Sequence, residues 1–375
     1  MNSKQFQDKI ASTAFAFRGY NVTNLGRSHE LLTHDRFGPI VRAQLREVSR
    51  ICSDLLGRRM DLIGRVQRQK ETTLRSYKDA VALILAMQMA QLRLLEEFFE
   101  VDFHSAKLAY GYSLGEIAAL VAGGVLPLDE ALKIPLMLAD DCVELSRDVT
   151  LAVIVSRARE LAANEVKLLC LKINAEGKGV IDIQSYLSPN SMLLMGQGDT
   201  LDRFKQRARE ELSTPIHLRK NDNRWPPIHT SIVWEKNISN RVAYRMHTMK
   251  DGFTEPTPPV FSMITGTIAY DRYNVRDLMA RWADSPQRLW DAVYHTLKSD
   301  IATVVHVGPE PNIIPATFRR LKENIETQTK SRPGLRALSI ARPWLQAILP
   351  ARTALLRAPQ VEQVILEDWL LAAAD

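Results

Sequence analysis

The sequence predicts an α/β fold, and three observations carry that reading. Short apolar segments such as Thr13-Ala14-Phe15-Ala16-Phe17 alternate with long amphipathic stretches of helical period. A glycine-flanked serine, Gly111-Tyr112-Ser113-Leu114-Gly115, stands between one such segment and a helix. From Leu151 the texture changes to strand-like and helix-like pieces that pass twice in β-α-β fashion within about seventy residues, which points to a small ferredoxin-like insert. With 375 residues, 46% hydrophobic and 25% charged, the chain can bury a large core, and disordered, collagen-like and disulfide-scaffold classes are excluded.

Taken in order, residues 13–17 read as a buried strand that runs into the turn Arg18-Gly19-Tyr20-Asn21. Phe37, Ile40, Val41, Leu45, Val48 and Ile51 share one face of a following helix, and residues 77–99 form a second strong helix. A short strand at 106–110 precedes the serine motif, a helix at 116–122 follows it, and Gly123-Gly124 stops that helix. Residues 128–145 are helical, with Pro135 inside. In the insert, 151–155 is strand-like, 157–165 helical and 166–173 strand-like. Residues 179–184 and 191–196 then pair as strands, and 199–212 is a charged helix. The main body resumes at Pro258-Pro259-Val260, with helices at 274–283 and 287–298 and a strand at 302–307 ended by Gly308-Pro309. Beyond Glu326 lie helical patches at 343–357 and 361–374, whose Trp344, Leu345, Ile348, Leu355 and Leu356 are expected to pack on the body.

The net charge of +6 is dispersed along the chain, which fits a solvated surface better than a nucleic-acid stripe and would suit an acidic protein partner. Cys52, Cys142 and Cys170 show no paired spacing and one must stay unpaired, as expected in a reducing compartment. The first residues show no basic region leading into an apolar run. The apolar stretch 80–99 is broken by Gln88, Gln91, Arg93, Glu96 and Glu97. The expectation is a cytoplasmic protein with no membrane insertion.

The serine motif carries the chemistry. Gly111 and Gly115 leave room for a tight strand-to-helix turn that lifts the Ser113 hydroxyl clear of a sheet. The backbone N–H of Leu114, at the start of the helix, is free to donate to a developing oxyanion. The serine needs a base, and His229 is the candidate, held in the proline-stiffened loop Trp225-Pro226-Pro227-Ile228-His229. The other seven histidines, His104 and His306 among them, read as structural or surface residues. No His/Cys cluster has metal-ligand spacing, and neither GxGxxG nor GxxxxGK[ST] is present, so neither metal nor nucleotide loop is expected.

These residues resemble the acyltransferase family of fatty-acid and polyketide synthesis typified by malonyl-CoA:acyl-carrier-protein transacylase. The resemblance runs from Thr13 to about Lys322. Phe15-Ala16-Phe17-Arg18-Gly19 is similar to the family's opening strand and turn. Residues 111–123 resemble its nucleophile signature, and Ser188-Pro189-Asn190 its turn between two strands. Ser285-Pro286-Gln287-Arg288-Leu289-Trp290 resembles its Ser-Pro-Val-Arg-Trp segment, and Val307-Gly308-Pro309 its Val-Gly-Pro. The resemblance implies an α/β-hydrolase-like subdomain with a parallel sheet at 1–148 and 220–326. It also implies a ferredoxin-like subdomain at 149–219, which leaves a helical extension at 327–375.

It further implies a ping-pong mechanism. Ser113 takes an acyl group from acyl-CoA, His229 moves the proton, and the phosphopantetheine thiol of an acyl carrier protein collects the group, with no permanent cofactor. A backbone carbonyl orients the histidine in the family, although Asp222 is near enough in sequence to be a rival. The N–H groups of Leu114 and Tyr20 would form the oxyanion hole, and a place inside a synthase assembly fits. Three departures matter. Tyr20 stands where the family has Gln, and Tyr112 where it has His. Leu138 falls where malonyl-specific members carry the carboxylate-binding Arg. With Tyr112, Leu138 and Ile228 as its expected wall, the pocket should take an uncharged acyl group, unless Lys133 or a distant Arg substitutes. Two alternatives stand beside transfer: an editing thioesterase, and a catalytically impaired homologue that only binds carrier protein.

Overall fold

The structure, a computed structural model, describes residues 3–157, 160–330 and 350–374. It contains two sheets. The larger has six strands in the order β10-β9-β1-β2-β7-β8. They are β1 (Thr13–Phe17), β2 (Leu108–Gly111), β7 (Val260–Ser262), β8 (Thr267–Ile268), β9 (Thr303–Val307) and β10 (Glu362–Ile365). All pairings are parallel except β7 with β8. Every residue of β1, β2 and β9 is buried, as expected of central strands covered on both faces. One face carries the Tyr77–Phe99 helix, against which the Gly38–Leu56 and Leu128–Leu145 helices pack. The other carries the Leu289–Lys298 and Ile313–Lys330 helices. Among the described residues, no helix is long and apolar enough to cross a membrane, and all three cysteines are buried and free.

Register decides where the site lies. Phe17 pairs with both Gly111 and Val307, so β1, β2 and β9 end level with one another. The turn after β1, the serine motif after β2 and the Gly308-Pro309 loop after β9 therefore leave the same carboxyl edge, where parallel sheets gather their ligands.

The second sheet comprises β3 (Val149–Val155), β4 (Ile181–Ser188), β5 (Ser191–Gln197) and β6 (His217–Lys220), antiparallel in the order β4-β5-β3-β6. With the Ala163–Asn174 and Thr200–Glu211 helices on one face, this is a ferredoxin-like unit.

Three sequence expectations change. Residues 157 and 160–162 are not helical as expected, and the helix that does form, Ala163–Asn174, takes in 166–173, which is therefore not a strand. Val166, Leu169, Cys170 and Ile173 are buried at helical spacing, while Leu168 and Leu171 are more than half exposed and make the run look continuously apolar. The fourth strand of the unit is β6, a short polar edge that carries no apolar signal. Residues 361–374 are not one helix: β10 joins the main sheet beside β9 before the Leu366–Ala374 helix begins, so this segment belongs to the parallel layer. Of the expected helix at 343–357, Pro350–Leu356 is helical; Trp344, Leu345 and Ile348 lie outside the described residues.

Candidate active site

Ser113 sits between β2 and the Leu114–Ala122 helix with φ 57° and ψ −118°, a left-handed conformation that a non-glycine residue holds only when its surroundings enforce it. They do. A Cβ on Gly111 would overlap the backbone of Gly115, and one on Gly115 the carbonyl of Phe17. The Tyr112 N–H donates to Phe17 O at 3.0 Å, and the Trp282 indole N–H to Ser113 O at 3.1 Å. Among the described residues the N–H groups of Leu114 and Tyr20 have no acceptor, and both lie at the carboxyl edge of the sheet.

His229 meets this elbow. Its Nε2 lies 2.7 Å from Ser113 Oγ, and its Nδ1 lies 2.8 Å from the carbonyl oxygen of Trp282. The histidine also has positive φ, 72°. Its N–H donates to Ala283 O at 2.6 Å, and Thr230 Oγ1 donates to Pro227 O at 2.7 Å, so the loop is clamped from both ends. The ring is buried, edge-on to the Trp282 indole at 5.2 Å. Burial holds its pKa far below the usual imidazole range, at about 3, while hydrogen bonds to the backbone of Trp282 and Ser285 pull the other way. The orienting group is thus a carbonyl. Asp222 is exposed and makes no contact with the ring, which removes it as a third member.

Both groups open on a cavity of about 360 Å³. Tyr20, Tyr77 and Trp225 form one wall, with Tyr77 and Trp225 each edge-on to Tyr20 at 4.8 and 6.0 Å between ring centroids. Burial, with Glu71 nearby, pushes the Tyr20 phenol up to about 12. Leu193 and Met195 of β5, which pack in one cluster with Trp225, also line the cavity, as do Tyr112 and Ile228, the chain neighbours of Ser113 and His229. The Tyr112 hydroxyl donates to Gln184 Oε1 at 2.9 Å.

Leu138 is a correction. It is fully buried in the core around the Tyr77–Phe99 helix and does not line the cavity. The nearby cations are occupied: Lys133 pairs with Glu130, Arg241 with Asp141 and Arg245 with Glu130. Arg18 does line the cavity, but all five of its N–H groups are spent. Nε donates to Gly19 O at 2.7 Å, Nη1 to the Pro309 and Glu310 carbonyls, and Nη2 to Thr23 O at 3.3 Å and Asn24 Oδ1 at 2.7 Å. Among the described residues, no three His, Cys, Asp or Glu side chains group to hold a metal ion.

Sequence reasoning missed Trp282, whose carbonyl contact to the ring is invisible in residue type although its indole also meets Ser113 O and the ring, and Tyr77, which comes from a helix read only as core. Gln287 left a signal: it replaces the Val of the family segment quoted above.

A strand–serine–helix elbow on a parallel sheet, capped by an antiparallel unit, defines the class, and this chain shares its fold with the malonyl-CoA:acyl-carrier-protein transacylases. FabD of Acinetobacter baumannii matches with a TM-score of 0.65 and 21% identity over 83% of this chain and 91% of its own. MCAT of Streptococcus pneumoniae matches with 0.64 and 22%, over 82% and 92%. PlMCAT, a malonyl-transacylase solved with its type II polyketide synthase acyl-carrier protein AntF, gives 0.62 and 19% over 82% and 92%. By sequence, the polyketide synthase GfsA of Streptomyces halstedii is 23% identical over 231 residues, which is 60% of this chain and 3% of that synthase. No family model matches the sequence.

Proposed function

We propose that this chain is a member of the malonyl-CoA:acyl-carrier-protein transacylase family that moves an uncharged acyl group from coenzyme A to an acyl carrier protein. The observation that carries the reading is the Ser113 Oγ–His229 Nε2 contact of 2.7 Å, backed by the Trp282 carbonyl and open to a cavity walled mainly, though not wholly, by apolar and aromatic side chains. With Nδ1–H donating to that carbonyl, Nε2 is free to take the serine proton as Oγ attacks the thioester carbon. The oxyanion falls to the N–H groups of Leu114 and Tyr20. As the C–S bond breaks, Nε2–H returns the proton to the departing thiol and leaves an acyl-serine. The carrier's phosphopantetheine thiol then repeats the cycle in reverse.

Two observations support the choice of acyl group and acceptor. A malonyl carboxylate in this cavity would find no free cation among the described residues, and an unpaired buried charge costs several kcal/mol. The aromatic wall, by contrast, gains contact with an uncharged chain. The likeness to PlMCAT, solved with its carrier protein, supports that type of acceptor. The test is to expose the protein to acetyl-CoA, longer acyl-CoAs and malonyl-CoA, then add phosphopantetheinylated carrier protein. Acyl-carrier product from the uncharged donors is expected. Free acid alone would instead mark a hydrolase, and strong malonyl preference would refute the pocket argument.

A further inference from the structure

Gln287 is fully buried in the loop between Trp282 and the Leu289–Lys298 helix, and its backbone and side chain do different work. The backbone ties it to the small sheet. Its N–H donates to Gln184 O at 2.9 Å, and its carbonyl accepts from the Tyr186 N–H at 2.9 Å and from Ser185 Oγ at 3.0 Å. This parallel bridge falls where β4 slips register against β5, between Ile183 and Ser185, so the irregularity in β4 coincides with the place Gln287 docks. The side chain turns the other way, into the dyad. Oε1 accepts from the Ser113 N–H at 2.8 Å, and Nε2 lies 3.2 Å from His229 Nδ1.

The amide can face only one way. A backbone N–H is a donor, so the oxygen must point at Ser113 and the NH2 must point at Nδ1. Nδ1 offers one in-plane site, and two partners compete for it. If Nδ1 carries the proton, it donates to Trp282 O, and Nε2 is bare and able to accept from Ser113. If Nδ1 is bare, it accepts from Gln287, the Trp282 carbonyl loses its donor, and Nε2–H faces a hydroxyl that it cannot deprotonate.

We propose that Gln287 is a positioning residue that braces the Ser113 elbow and weakens, without overturning, the hold of the Trp282 carbonyl on the His229 Nδ1 proton, so that Nε2 stays the accepting nitrogen on a weakly basic ring. This rests on the reading of Ser113 and His229 as nucleophile and base. The carboxamide presents N–H, the positive end of its dipole, to the ring, and so also opposes a second proton there. The groups facing the ring are the Ser113 hydroxyl, the backbone of Trp282 and Ser285, the Trp282 indole and Gln287 itself. The charged neighbours are engaged elsewhere: Arg18 with carbonyls, Glu116 with the Tyr270 hydroxyl and the Met263 N–H, and Asp284 with the Trp234 indole. A weakly basic ring suits a thioester, whose thiol leaving group needs little help from an acid. Because Gln287 is held by β4, movement of the small sheet would reach the dyad through it.

The test uses nitrogen chemical shifts of 15N-histidine-labelled full-length protein across a pH titration, with the His229 signal assigned by its loss in His229→Gln. In Gln287→Glu one oxygen can keep the Ser113 N–H while the other accepts from Nδ1–H. The protonation midpoint of the ring should rise by about one pH unit or more, with Nδ1 the protonated nitrogen. Gln287→Met removes the competing N–H and should raise the midpoint by less. The acidic limb of acyl-enzyme formation should move with it in both. Unchanged shifts and midpoint in the near-isosteric Met variant, with or without loss of rate, would overturn the proposal. If the native protein forms no acyl-serine, the functional reading fails, while the nitrogen shifts still judge Gln287.

Discussion

At the elbow, a Cβ on Gly111 or Gly115 would run into backbone, whereas on the cavity wall Tyr20 meets Tyr77 and Trp225 ring edge to ring face. The first region is fixed by main-chain sterics, and few substitutions leave it standing. The second is fixed by side-chain packing, which other residues could satisfy at modest cost. Where the two meet, a protein can keep its bond-making apparatus while its choice of substrate drifts. Tyr20, on the aromatic wall, and Tyr112, next to Ser113, are the cavity positions where such drift would act.

The sharpest way to break this contrast is at the elbow. Ser113→Ala should lower transfer at least 10³-fold with the fold intact, as read by thiol release and circular dichroism. Gly115→Ala should cost about 1–3 kcal/mol or prevent folding, whereas an alanine at Tyr20 should be tolerated; thermal unfolding distinguishes them. Leu138→Arg should destabilise by several kcal/mol without creating malonyl preference, because position 138 faces core and not cavity. A stable, malonyl-selective variant would contradict that placement.

On the aromatic wall, Tyr20→Ala and Trp225→Ala should shift the kcat/KM ratio between short and long acyl donors by about 10–200-fold in favour of the longer, with acyl-enzyme formation retained. The smallest effect is the pH response. A group whose pKa is lowered keeps its unprotonated, base-competent form as pH falls. Acyl-enzyme formation should therefore stay level through pH 6.5, the ordinary histidine range, and decline only towards about 3 or where the fold gives way. A midpoint near 6.5 would mean that the ring is hydrated.

The elbow was legible in the sequence because its cause is local: Gly111, Ser113 and Gly115 lie within five positions of one another between a strand and a helix. His229 was legible through its prolines. Tyr112 and Ile228, beside the serine and the histidine, were legible as cavity lining, but the aromatic wall was not, because Tyr77 and Trp225 come together with Tyr20 only through tertiary packing, and counting from Ser113 to Leu138 cannot say which way a helix face turns. The 166–173 helix shows the same limit, since two exposed leucines masked a helical period. β10 was hidden because a strand of four residues is defined by its partner β9 more than by its own composition.

The fate of the Ser113 hydroxyl decides between an acyl-enzyme and an inert elbow. Intact-protein mass spectrometry after brief exposure to an equimolar mixture of acetyl-, hexanoyl- and malonyl-CoA measures it directly. The prediction is a mass increase of one uncharged acyl group, mapped to Ser113, absent in Ser113→Ala and discharged by the holo carrier protein. An unlabelled protein, or one labelled with malonyl alone, would contradict it.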